Sequence, residues 1–137
     1  MTNKNPQDIV KQMMEKDAFS QWLGIEVIEV QLARAVIKMR VRNDMVNGFG
    51  ICHGGVTFAF ADSAFAFASN TYGNIAVSIE NSISYPAAVL VDDELTATAV
   101  QKSNSKTLAV YDVEVRNHNN QVVALFRGMV YKTKKQH

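Results

Sequence analysis

Residues 53–70 read HGGVTFAFADSAFAFASN. From Val56 to Ala68 this run is apolar apart from Thr57, Asp62 and Ser63. A helix that is apolar on nearly every side must be enclosed by protein, because a surface helix keeps one polar face. The run is shorter than the ~20 residues of a membrane span, and it carries an acid at its centre. A buried helix of a soluble domain is therefore expected, starting at Gly54-Gly55 and ending between Asn70 and Gly73.

The chain on either side supplies what could enclose it. Upstream, Ile25 and Val27, then Ala35, Ile37, Met39 and Val41, alternate with Glu26, Arg34, Lys38, Arg40 and Arg42. Alternation of this kind marks half-buried strands, placed here at 24–31 and 33–42. The loop NDMVNGFGICH (43–53) has turn chemistry. Asn5-Pro6 is a helix start, and Ile9, Val10, Met13 and Met14 continue it at helical spacing over 6–16. Residues 1–20 are expected to form an N-terminal helical cover, and Phe19, Trp22 and Leu23 continue its apolar face less regularly. Downstream, strands are expected at 75–85, 94–103, 107–117 and 121–132, separated by turn residues. Residues 132–137, with Lys132, Lys134 and Lys135, read as a basic solvated tail, with a clamp for phosphate as the alternative. The expected fold class is α+β, one domain over 1–137, with a curved antiparallel sheet wrapped around the long helix. Six strands leave a strand edge uncovered, which predicts a homodimer or homotetramer.

Composition narrows the function. The chain has 137 residues, 47% hydrophobic and 20% charged, with a formal charge of +1. Neither a nucleic acid nor an anionic membrane is an expected partner of so neutral a chain. One cysteine, Cys52, allows no internal disulfide and fits a reducing cytoplasm. Met1–Pro6 is polar and does not read as a signal peptide. His53, His118 and His137 have no metal-ligand spacing, so no metal is expected. GxGxxG, P-loop and GxSxG patterns are missing, so nicotinamide, ATP and serine-hydrolase chemistry have no support, and no cofactor is expected.

Two features carry chemistry. Asp62 is embedded among Phe60, Ala61, Ala64 and Phe65, with no Lys or Arg anywhere from Cys52 to Ala76. Burying an unpaired carboxylate costs several kcal/mol. Asp62 is thus either a structural acid bonded to a backbone group or hydroxyl, or a base or nucleophile of raised basicity in an apolar cleft. At Gly54-Gly55 the first helical N–H groups lack intrahelical acceptors, and no side chain blocks a ligand. A carbonyl there would be polarised and an oxyanion stabilised. The glycine pair could equally serve a tight turn. Gly54 and Asp62 lie ~12 Å apart along one helix, too far to serve one reacting group. Two antiparallel copies of the helix, one per subunit, could bring Gly54 of one chain opposite Asp62 of the other.

The stretch NGFGICHGGVTFAFADSAFAFA (47–68), with its flanking strands, resembles the hotdog-fold acyl-CoA thioesterases. VYDVEVRNHNNQVVALFRG (110–128) is similar in particular to those of phenylacetate degradation. The resemblance runs from about Phe19 to Tyr131. It implies an acyl-CoA substrate, specifically (hydroxy)phenylacetyl-CoA or a related aryl-acyl-CoA, hydrolysed to free acid and CoA. It also implies that Asp62 acts as nucleophile or as base toward water, that the Gly54 N–H polarises the thioester carbonyl, and that Asn47 positions thioester or water. Ser78 would help orient water. From the residues themselves, His53 is either a substrate-orienting donor or acid/base, or a helix-entry residue bonded to the backbone, with an orienting or structural role favoured, and His53 and Gly55 are candidate substrate contacts. The loop YPAAVLVDDEL (85–95) places Pro86 differently from the aromatic-x-x-Pro pattern usual in the family. Two rivals remain: a hydratase or dehydratase of the same fold using His53 with Asp62, and a non-catalytic acyl-CoA-binding protein. A Cys52/His53 nucleophile pair is disfavoured, because adjacent side chains do not normally aim at each other. Phe58, Phe60, Phe65, Phe67 and Tyr72 either shape an aryl pocket or pack the core.

Overall fold

The structure, a computed structural model, describes residues 4–137. Its helices are α1 (Pro6–Lys16), α2 (Ala18–Leu23) and α3 (Gly54–Ser69); its strands are β1 (Glu26–Gln31), β2 (Arg34–Arg40), β3 (Asn74–Ser84), β4 (Glu94–Asn104), β5 (Leu108–Arg116) and β6 (Val122–Gln136). All six strands form one antiparallel sheet in the order β1-β2-β4-β5-β6-β3. The sheet is not closed, so β1 and β3 are its edges.

In sequence, α3 leads from β2, near one edge, to β3 at the other, so the chain crosses the sheet through this helix. Alternation along each strand turns one row of side chains toward α3. Ala35, Ile37 and Met39 on β2, Tyr111, Val113 and Val115 on β5, and Ala124, Phe126 and Val130 on β6 are buried. Small residues on both sides (Ala61, Ala64 and Ala68 on α3; Ala97, Ala99 and Ala109 on the strands) let helix and sheet approach closely. Phe60, Phe65 and Phe67 fill the remaining space, fully buried or nearly so. Each such ring contributes about 1.5–3 kcal/mol by leaving water. Gly128 is part of this fit: a Cβ there would come within 2.6 Å of the Phe65 ring. Phe65 packs edge-on against Tyr111, with ring centroids 5.9 Å apart.

β2, β4 and β5 differ from the sequence expectation only by one or two residues at their ends, and other elements differ as follows. Residues 18–23 form a separate helix, α2, started by Asp17, whose side chain accepts the Ser20 N–H. Gly24, at φ +75°, ends it, so β1 begins at Glu26 rather than at residue 24. β3 starts and ends one residue earlier than expected. The basic segment 132–137 is not a solvated tail: it continues β6 to Gln136, opposite Asn74 of β3. Thr133 Oγ1 donates to Ile75 O at 2.6 Å, and the His137 ring is bonded to Asn70 Oδ1 at 2.8 Å. Alternating Lys and Thr can pair as an edge strand while the lysine heads stay in water.

Two of the open surfaces among the described residues lie on β3 and α3. β3 is exposed over Val77–Glu80, including Val77 and Ile79. On α3 the stripe of Gly55, Phe58, Ala59, Asp62 and Ala66 is covered incompletely. Among the described residues, no helix is long and apolar enough to cross a membrane.

Candidate active site

The N-terminus of α3 is built by the loop before it. Asn47 Oδ1 accepts the N–H of Phe49 at 2.9 Å and that of Ile51 at 3.4 Å. The Asn47 N–H donates to Ile51 O, and Gly50 takes φ +77°, which folds residues 47–51 into a tight turn. The side-chain amide Nδ2 of Asn47 stays unengaged among the described residues. The Cys52 N–H then donates to Val89 O, and the His53 N–H to Met45 O, which fixes the entry to the helix.

At that entry His53 is the N-cap, and its Nδ1 accepts the Gly55 N–H at 2.8 Å. The neutral ring therefore carries its proton on Nε2. The N–H groups of Val56 and Thr57 donate to His53 O. Of the first turn, only the Gly54 N–H is left with no acceptor among the described residues. Its glycine has no side chain to shield it, and the helix dipole adds partial positive charge there.

Tyr85 borders the same spot. Its hydroxyl donates to Gly54 O at 2.8 Å, and a Cβ on Gly54 would stand 3.3 Å from its ring. Burial raises the Tyr85 phenol, with the Cys52 thiol adding to the rise, so the hydroxyl stays protonated and able to donate. Sequence reasoning did not single out Tyr85, which lies 31 residues from Gly54 in the chain. Its position at the end of a strand, just before Pro86, is the only cue.

Asp62 lies two turns further along α3, about 12 Å from Gly54 by helix rise. It is half-buried and has no hydrogen bond or ion pair among the described residues. Its carboxyl is raised above the ordinary aspartate value, first by loss of water and second by the charge of Asp17. Within the chain, among the described residues, Asp62 is bonded to no backbone group or hydroxyl. Phe58, one turn earlier on the same face, packs its ring edge-on to Phe126 at 5.5 Å.

Ser78 is on β3 opposite Val130, beside a bulge, and its hydroxyl donates to Asn81 Oδ1 at 3.0 Å. One chain thus brings Asn47, His53, Gly54 and Gly55 together at the helix start. Asp62 and Ser78 stand elsewhere, and His53 makes no bond to Asp62. Of the candidate aromatic residues, Phe60, Phe65 and Phe67 pack the core, and Tyr72 is exposed with its hydroxyl on Gln101. Cys52 is buried, and loss of water raises its thiol, which keeps it a poor nucleophile. A cavity of about 870 Å³ opens on the sheet face away from α3, lined by Thr96, Thr98, Asp112, Glu114 and Arg127. Asn47, Gly54 and Asp62 do not line it.

Residues 49–124, more than half of the chain, match the thioesterase superfamily. The chain belongs to the thioesterase superfamily. It is an enzyme, a thioester hydrolase, and its open six-stranded sheet with α3 across it is the hotdog fold. The acyl-coenzyme A thioesterase PaaI of Escherichia coli (strain K12) is 41% identical over 120 residues, covering 88% of this chain and 86% of that one. The solved structure of the E. coli PaaI protein, from the phenylacetic acid degradation operon, superposes with a TM-score of 0.94 at 37% identity, over 96% of this chain and 95% of that one. A Streptococcus mutans protein solved bound to acetyl CoA superposes with a TM-score of 0.80 at 25% identity, over 82% of this chain and 91% of that one.

Proposed function

We propose that this thioesterase hydrolyses aryl-acyl-CoA thioesters, (hydroxy)phenylacetyl-CoA among them, to the free acid and CoA, in a site shared by two subunits. The observation that carries the reading is Asp62, a half-buried acid without a partner on the open stripe of α3. A carboxylate stripped of part of its water is a stronger base and nucleophile than an exposed one. Asp62 takes a proton from water as the water attacks the thioester carbonyl, or attacks that carbon itself to form a mixed anhydride that water then hydrolyses to the free acid. The carbonyl oxygen, turning negative, is held by the Gly54 N–H of the partner subunit, the one amide of that turn left free for it. The Asn47 amide, whose Oδ1 is held by the turn, orients the thioester or the water through Nδ2, and the Ser78 hydroxyl orients water. The C–S bond then breaks, and the leaving thiolate is stable enough to need no strong acid.

Sharing follows from the ~12 Å between Gly54 and Asp62 on one helix, which exceeds the reach of any single carbonyl. The uncovered β3 edge and the open stripe of α3 are the surfaces a second copy would cover. The similarity to PaaI supports a coenzyme A thioester as substrate, and the Phe58 ring beside Asp62 supports an aromatic acyl group. Free-thiol release from phenylacetyl-, hydroxyphenylacetyl-, benzoyl- and straight-chain acyl-CoA tests it. The arylacetyl esters are expected to have the highest kcat/KM. A rate confined to straight-chain esters would overturn the substrate assignment.

A further inference from the structure

Asp62 does not stand in isolation at its turn of α3. The next residue, Ser63, is buried, and its hydroxyl meets that of Ser20 on α2 at 2.8 Å. Ser20 Oγ meets Asp17 Oδ2 at 2.6 Å, and the Ser20 N–H donates to Asp17 Oδ1 at 2.9 Å. The donor order follows from proton inventory. A carboxylate only accepts, so Ser20 gives its single hydroxyl proton to Asp17. Ser63 must then give its proton to Ser20. The result is a one-way line of hydrogen bonds, Ser63 to Ser20 to Asp17, that ties a second acid to the turn carrying Asp62. Asp17 also ends α1 and starts α2, so the chain holds it on both sides.

Among the described residues, Asp17 is the charge that acts on the Asp62 carboxyl. The rows of β2, β4 and β6 that bury against the helix are apolar along its length. β5 contributes Tyr111, which packs on Phe65 and is pushed up to about 12 mainly by burial, so it is neutral. Cys52, His53 and Tyr85 stand at the N-terminal end of α3. His137 stands at its C-terminal end, on Asn70, and Lys132 is on β6 opposite Ala76. On β3, Glu80 is exposed. Arg42 lies over the Trp22 ring of α2 and is paired with Asp44.

We propose that Asp17 is a positioning residue for the reaction: held by Ser20 and Ser63, its negative charge opposes ionisation of Asp62 and so keeps the ionised Asp62 strongly basic. The rise of the Asp62 carboxyl by Asp17, second to burial, has the direction this requires. The inference rests on the reading of Asp62 as the reacting acid and adds what tunes it. A carboxylate of higher proton affinity withdraws a proton from water more readily.

The test is the pH dependence of kcat/KM for phenylacetyl-CoA hydrolysis, in the full-length oligomer. Asp17→Asn and Asp17→Ser both keep a side chain that can start α2 but remove the charge. Each is expected to move the acid limb down by about 0.5–1 pH unit. Asp17→Glu, which keeps the charge, should hold the limb within half of that displacement. Ser20→Ala, which leaves both acids in place, should loosen α2 and lower the melting temperature with a smaller shift of the limb. A limb unmoved in both neutral variants overturns the proposal, as does an equal shift in Asp17→Glu. Asp62→Asn is run alongside: wild-type turnover in that variant would remove the underlying reading, a different result from an unmoved limb in Asp17→Asn with Asp62→Asn inactive.

Discussion

His53 Nδ1 accepts the Gly55 N–H at 2.8 Å, closing the first turn of α3 from within the chain. With Val56 and Thr57 bonded to His53 O, the Gly54 N–H is the donor that faces outward. Gly54→Pro deletes that single hydrogen. Proline is accepted at the first helical position, and the ψ of 133° at His53 suits a residue preceding proline. The exposed Tyr85 ring, 3.3 Å from the new Cβ, can shift to make room. kcat is expected to fall about 10²–10³-fold, the effect of losing one oxyanion donor. The far-ultraviolet circular dichroism should not change. An unaltered kcat would remove Gly54 from the reaction.

Asp62→Asn keeps shape and volume and removes the charge. Turnover should drop about 10²–10⁴-fold, as for a positioned acid–base group. The same variant should melt about 1–3 °C higher at neutral pH, because a partly dehydrated carboxylate with no partner is gone. Opposite signs for activity and stability separate a functional acid from a structural one, whose loss lowers both.

The pH dependence has a defined sign. Because the Asp62 carboxyl is raised in the folded chain, kcat/KM should rise with pH through an apparent pKa above the ordinary aspartate value of about 3.9. Folded Asp62 binds its proton more tightly than unfolded Asp62. Its contribution to stability is therefore fully present below the unfolded pKa and is lost as pH rises through the folded one. The melting-temperature gap between Asp62→Asn and wild type should vanish in acid and open as pH climbs through that raised value. Asp112 runs the other way. Its hydrogen bond to Arg127 holds its carboxyl low, so its contribution is lost as pH falls. A pH series of thermal melts on both proteins reads the two apart.

Gly128 tests the packing under the site. An added Cβ would lie 2.6 Å from Phe65 and 2.8 Å from Asn81 Oδ1, the atom that holds the Ser78 hydroxyl. Gly128→Ala should cost about 1–3 kcal/mol in denaturant unfolding, the usual price of overpacking. Adding Phe65→Leu should recover part of that loss, since the ring is what the new methyl meets. Additive losses would mean that the two residues do not compete for the space.

Much of this architecture was legible because its signals are local. The apolar run on both sides of Asp62 reads as an enclosed helix, and the alternation from Ala35 to Val41 reads as a half-buried strand. What escaped depended on contacts far along the chain. α2 is six residues long and exposes Phe19 and Trp22, so it carries no helical stripe to read. The Lys-rich end of β6 becomes a strand only because Asn74 and Ile75 lie beside it. Tyr85 reaches Gly54 through the turn of the fold, and Asp17 reaches the Asp62 turn through two serines. Asp62 and Gly54 themselves were visible as residues, but their separation along one helix means that one chain cannot place them against one carbonyl.

Subunit complementation tests that sharing most directly. Asp62→Asn and Gly54→Pro are unfolded together, mixed in equal amounts and refolded, and thioester hydrolysis is compared with each variant alone. In a mixed dimer, one site receives both defects and the other receives neither, so random pairing should restore about a quarter of the wild-type sites. Activity no greater than that of the separate variants, with mixed dimers demonstrated by mass, would contradict a site built from Asp62 of one subunit and Gly54 of the next.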